Sequence, residues 1–175
     1  MTLYLQEELF SLDHFDIWDE DGNVKYQVER ELFQFGRKLV VVDMQGREVC
    51  FVQHIPFSIP CAYELAVPGG SVQLDRQFSF FTQQYSIDQL GWEVSGSFWN
   101  LDFSIIQAGR TVATIEKAFP AFHDRYRLEI EDPKDELTAL CVVLAIDVEA
   151  ERHNIPAKPP AEKSAGGIYF PGGIL

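Results

Sequence analysis

The chain is short of the features that announce a chemistry. Its 175 residues hold 14 Lys and Arg against 27 Asp and Glu, a net charge of −13. Such a deficit of cations disfavours attraction to nucleic acid or anionic lipid by the chain as a whole, and no nucleic-acid partner is expected. Cysteine is scarce: Cys50, Cys61 and Cys141 are odd in number and lack Cys-x-x-Cys spacing, which argues against a disulfide framework or a zinc ribbon. They read as reduced, mostly buried apolar residues. There is no Gly-x-Gly-x-x-Gly, no P-loop and no Gly-x-Ser-x-Gly elbow, so nothing points to a nucleotide or to a serine hydrolase. The histidines His14, His54, His123 and His153 are scattered without metal-ligand spacing, and no metal or cofactor is expected. Long hydrophobic runs are missing too. The longest, Leu137 to Ile146, falls far short of the ~20 residues of a membrane-spanning helix. The stretch from Met1 to Glu8 has neither the basic nor the apolar region of a secretory signal. The expectation is a cytoplasmic protein with no transmembrane segment.

What is present is a repeat. "LFSLDHFDIWDEDG" (Leu9 to Gly22) is echoed by "LFQFGRKLVVVDMQG" (Leu32 to Gly46), each reaching an Asp and then a Gly three residues later. More loosely, a Phe is followed five to seven residues on by an aromatic or Leu, with another apolar residue two positions beyond. Phe10, Phe33, Phe57, Phe78, Phe98 and Phe119 head six such copies, spaced by 23, 24, 21, 20 and 21 residues. Asp21-Gly22, Gln45-Gly46, Gly69-Gly70 and Ala108-Gly109 supply hairpin turns, while the fourth and sixth copies lack a tight Gly turn. The flanking runs alternate with period two, Val24, Tyr26 and Val28 against Lys25, Gln27 and Glu29. The sixth copy has only its first strand. Eleven or twelve strands result, and a meander of hairpins hides its edges most simply by closing into an antiparallel barrel.

After the sixth copy the pattern becomes helical. Asp132 reads as an N-cap with Pro133 at the first helical position, and Asp135 and Glu136 put negative charge in the first turn. From Leu137 to Ile146 apolar residues cover every side, so a helix over about 133–150 belongs inside the barrel. The domain is therefore expected over 1–152, mainly β with one central helix. Residues 153–175 form a Pro/Gly-rich tail in which Ile168, Tyr169 and Phe170 are candidates for docking on the barrel or on a protein partner.

The paired units from Glu8 to Ile55, then "GWEVSGSFWNLDFSI", "GRTVATIEKAF" and "DPKDELTALCVVLAIDV", resemble the LURP-one-related (YxjI-like) family. The likeness covers about residues 3–150, and the family is part of the wider tubby-like group that includes phospholipid scramblases. It implies a twelve-stranded barrel filled by its closing helix, and a non-enzymatic domain whose molecular role is largely unknown. Phosphoinositide or other phospholipid binding, known in tubby domains, would fall here to the compact basic group Arg37, Lys38 and Arg47, though no tubby lipid motif matches residue by residue. The first unit departs from the family by lacking a Gly where the second has Gly36.

Other constellations are thin. "DEDGN" (Asp19 to Asn23) resembles a calcium loop, yet with Gly22 at loop position six, Ile17 and Val28 fall at positions one and twelve and cannot bind calcium. His14 and Asp16 share one strand face, and with Asp19 and Asp21 they are the residues around which a hydrolase site could be built. The leading expectation is a non-catalytic binding or scaffold domain that associates with membrane lipid or a protein partner. The alternatives are an interaction module using the tail, or a hydrolase near His14 and Asp16.

Overall fold

A computed structural model describes residues 1–6, 14–33, 36–77, 84–98, 101–118 and 125–154. Its first six strands are β1 (Thr2–Gln6), β2 (His14–Trp18), β3 (Val24–Phe33), β4 (Gly36–Asp43), β5 (Glu48–His54) and β6 (Ala62–Val67). The second six are β7 (Gly70–Gln77), β8 (Gln84–Ile87), β9 (Trp92–Ser97), β10 (Asp102–Gln107), β11 (Arg110–Lys117) and β12 (Arg125–Ile130). Consecutive strands pair antiparallel, and β1 closes the barrel by lying between β2 and β12. The sixth repeat unit thus has a second strand after all. It comes from the other end of the chain, with Thr2 opposite Glu129 and Leu5 opposite Tyr126.

The repeat encodes the inner face of the wall. The aromatic or Leu that opens each unit's first strand (Phe15, Leu39, Tyr63, Tyr85, Phe103, Tyr126) is buried in one core. So are the residues two positions on, Ile17, Val41, Leu65, Ile87, Ile105 and Leu128. A period of two over one closed sheet puts both sets inside. The opening echo extends to hydrogen bonds. Gly22 N–H donates to Asp19 C=O at 3.2 Å and Gly46 N–H to Asp43 C=O at 2.8 Å. The Asp side chains accept alike, Asp19 Oδ1 from the N–H of Asp21 and Asn23, and Asp43 Oδ1 from the N–H of Gln45 and Arg47. The fourth unit corrects the sequence expectation: its turn is tight and does use a glycine, Gly91, at φ +62°, four residues after Ile87. Gly96 serves packing as well as backbone conformation, because its φ is +146° and a Cβ there would fall 2.5 Å from Phe103 Cα.

The helix begins as the cap predicts. Asp132 is extended and its side chain accepts from Lys134 N–H, a 3₁₀ turn spans Pro133–Asp135, and α1 runs Glu136–Asn154. Every residue from Ala139 to Ile146 is buried, since strand faces surround the helix on all sides. Each large aliphatic there contributes roughly 1.5–3 kcal/mol by leaving water. The helix enters at the rim of the short turns, where Glu136 meets Lys25 at 2.6 Å. Thirteen residues later, about 20 Å along, Glu149 reaches Cys61 and Tyr63 at the opposite rim.

Candidate functional site

With the interior occupied, concave surface has to come from outside the wall. Strands β4 and β5 are apolar on both faces: "LVVV" and "VCFV" break the alternation of a one-faced strand. Leu39, Val41, Cys50 and Val52 point into the core, so Val40, Val42 and Phe51 stand on the outer face. Register lines Val40, Phe51 and Ala66 across three neighbouring strands. A bulge leaves Val49 unpaired, since Val41 faces Cys50 while Val42 faces Glu48. Between the β4–β5 and β6–β7 turns this apolar strip opens into a groove of about 470 Å³. Val49, Phe51, Ala66, Val67 and Pro68 supply its apolar lining, and Asp43, Arg47 and Glu48 its charged lip.

Of the three predicted cations, Arg47 lines this groove and Lys38 packs on the ring of its lining residue Phe51. Arg47 stands on the lip, its Nε donating to Asp43 Oδ2 at 2.7 Å and its Nη2 to Gln45 at 3.1 Å. That pairing holds the Asp43 carboxyl below the usual carboxylate range. Lys38 lies over the Phe51 ring with Nζ 4.4 Å from its centre, and pairs loosely with Glu31 at 3.7 Å. The two are not one cluster: Lys38 and Asp43 are five strand residues apart, roughly 16 Å. Arg37 belongs to β4 by its backbone, and its side chain lies outside the described residues.

A second concentration of polar groups closes the opposite rim. Glu149 on α1 is buried and accepts from Tyr63 Oη at 2.7 Å, Cys61 Sγ at 3.4 Å and Arg76 Nη1 at 3.3 Å. Burial, and then the Glu149 charge, push the Tyr85 hydroxyl well above its ordinary pKa. The His54 ring meets Tyr63 edge-on at 5.4 Å. This arrangement ties the helix to three points of the wall and leaves the carboxylate with charged and neutral donors. Between β5 and β6 the loop 55–61 carries Phe57 and Ile59, 92% and 87% exposed. Cys50 and Cys141 are buried free thiols on β5 and α1. Their mutual hydrogen bond, with burial, holds the Cys141 thiol above its usual range.

The remaining predicted residues divide as follows. His14 and Asp16 lie on the outer face of β2, and Asp16 accepts from Gln27 Nε2 at 3.0 Å. Asp19 and Asp21 sit in the turn beyond, where Asp19 is occupied with backbone N–H groups that lower its pKa. His14 and Asp19 are about 16 Å apart along the strand, and the four do not converge. Among the described residues, no three His, Cys, Asp or Glu gather at metal-binding distance. Ile168, Tyr169 and Phe170 lie outside the described residues. Sequence reasoning missed the groove, Glu149 with its partners, and the exposure of Phe57 and Ile59. The two-faced apolarity of β4 and β5 was the available signal for the first. The second joins residues more than 70 positions apart and leaves no local trace.

Comparison with known proteins agrees with this architecture. The profile of LURP-one-related proteins matches residues 1–147. An uncharacterised Bacillus subtilis protein, YxjI, is 24% identical over 150 residues, which is 85% of this chain and 93% of that protein. A crystal structure of an Arabidopsis thaliana protein superposes with a TM-score of 0.59 at 15% identity, covering 85% of this chain and 90% of the other. That likeness concerns the fold.

Proposed function

The chain belongs to the LURP-one-related family, and from that premise we propose that it is a non-catalytic, cytoplasmic binding domain that takes an amphiphilic ligand in the groove between the β4–β5 and β6–β7 turns. One observation carries the reading: the barrel encloses its own helix, buried from Ala139 to Ile146, so a ligand must be met on the outer surface. The groove offers what an amphiphile uses. Its apolar lining can shield a few methylenes, each contributing about 0.8 kcal/mol, and Arg47 and the Lys38–Phe51 pair flank that lining.

The charges narrow the ligand. Asp43 and Glu48 share the lip with Arg47, and the chain carries −13 overall, so a polyanionic head group meets a repelling field. A zwitterionic phospholipid suits the lip better, with its phosphate toward Arg47 and its ammonium toward Glu48. The test is titration with dihexanoyl-phosphatidylcholine below its micellar concentration, beside a short-chain phosphoinositide. Saturable phosphatidylcholine binding is expected, weakened at least tenfold by Arg47→Glu with Lys38→Glu. Absence of binding by the unmodified chain, or equal binding by the double variant, rejects the reading.

A further inference from the structure

The loop from Ile55 to Cys61 is built to be where it is. Ser58 Oγ donates to Ile55 C=O at 2.8 Å and accepts from Ala62 N–H at 2.9 Å. Ile55 N–H donates to Ala62 C=O at 2.9 Å, and Arg76 N–H to Cys61 C=O at 3.1 Å. These bonds fix a short loop whose two largest apolar side chains nevertheless face water, Phe57 at 92% and Ile59 at 87% exposure. Phe57 also holds φ at +62°, a region that a residue with a bulky side chain rarely adopts. Backbone strain of that kind persists where the surrounding structure imposes it, and it clusters at ligand clamps. A pinned loop, a strained residue and two outward apolar side chains together describe a preorganised contact.

We infer that the occupant of this contact is the chain's own C-terminal segment, with Ile168, Tyr169 and Phe170 packed on Phe57 and Ile59. The first argument is position. Glu149 touches Cys61, and α1 continues about 8 Å past it to Asn154 at the same rim. Phe57 is four residues from Cys61, so it lies within about 30 Å of the helix end. Thirteen residues, 155–167, join Asn154 to Ile168, a span that reaches roughly 20 Å as a flexible coil and about 43 Å in polyproline conformation. The second is charge: residues 153–175 hold Lys158 and Lys163 against Glu162 alone, whereas the chain as a whole carries −13. The third is affinity. Two side chains make a small patch, adequate for a contact of about millimolar strength. A tethered segment meets it at an effective concentration of that order, whereas a separate partner at micromolar concentration does not.

The inference is independent of the groove, which lies by the opposite rim. It is tested in the full chain by placing the photo-crosslinking residue benzoyl-phenylalanine at position 57, with the same residue at the exposed Met44 as a control. Irradiation is expected to join position 57 to residues 164–175 of the same molecule, with a yield unchanged on tenfold dilution. Tyr169→Ser with Phe170→Ser should lower that yield at least fivefold, and position 44 should give no such product. A dilution-sensitive product between two chains, capture of added phosphatidylcholine vesicles in place of the tail, or no product at all overturns the inference.

Discussion

Phe57 and Phe98 head the third and fifth copies of one repeat, and they stand in opposite surroundings. Phe98 is 4% exposed, its ring 5.0 Å from Tyr85 and 5.5 Å from Phe103. Phe57 is 92% exposed. Four residues lie between Phe98 and Phe103, and Leu101, at φ +46°, donates its N–H to Phe98 C=O. Five residues lie between Phe57 and Tyr63, and Ser58 bonds Ile55 C=O and Ala62 N–H within that longer connection, which leaves the Phe57 ring outside. The periodicity therefore governs the strand positions that the closed wall forces inward. Phe57 and Phe98 lie ahead of their strands, in rim connections whose own bonding decides which way each faces.

The largest expected effect is at the buried copy. Phe98→Ala should cost about 3–5 kcal/mol of unfolding free energy in urea denaturation, against less than about 0.5 kcal/mol for Phe57→Ala. Equal losses would break the contrast. Next comes the glycine opposite Phe103: Gly96→Ala should cost about 1–3 kcal/mol through overpacking, measurable in the same transition, because the new Cβ meets Phe103 and Asp102 backbone atoms at 2.5 Å. The inward aromatics of the two units differ by a hydroxyl, and that difference is used. Tyr63→Phe should cost about 1 kcal/mol by removing the 2.7 Å bond to Glu149. The reciprocal Phe103→Tyr should be the more harmful of the two, since it buries a hydroxyl beside Gly96 and Phe98.

The smallest effect concerns the turns of the first two units. Asp19 and Asp43 have carboxyls held below the usual range, Asp19 by the Asn23 backbone N–H and Asp43 by Arg47. A lowered folded pKa means that their stabilisation is present above the unfolded value of about 3.9 and is lost as pH falls through the folded value. Asp43→Asn should accordingly flatten the acid limb of a thermal-melting profile, the two proteins converging as pH falls through the folded value of Asp43. An unaltered acid limb would show that the Arg47 pairing adds nothing to stability.

Much of this was legible in the chain. The alternation headed by Phe15, Leu39 and Tyr126 predicted the inner wall, and Asp132-Pro133 with the all-round apolar run predicted an enclosed helix. Both signals are local, and both reflect burial. The partner of β12 was not legible, because Thr2–Gln6 is five residues long and lies at the far end of the sequence. Gly91 was overlooked because its turn follows "DQL" rather than a Gly-paired dipeptide. The groove and the Glu149 latch depend on register and on side chains from separate strands, and a one-dimensional pattern does not carry that information.

The seam between β1 and β12 has a kinetic consequence. It joins Thr2 to Glu129, so the wall cannot close until nearly the whole barrel has been synthesised, and the helix destined for its interior follows later still. Five local hairpins can form early, within microseconds of their synthesis. They must then persist as an open sheet with both edges unpaired until the apolar helix arrives and is wrapped. Closure and filling are therefore one late, long-range event, of the kind that slows folding. The exposed edges of β1 and β12 are the vulnerable surface of the nascent chain.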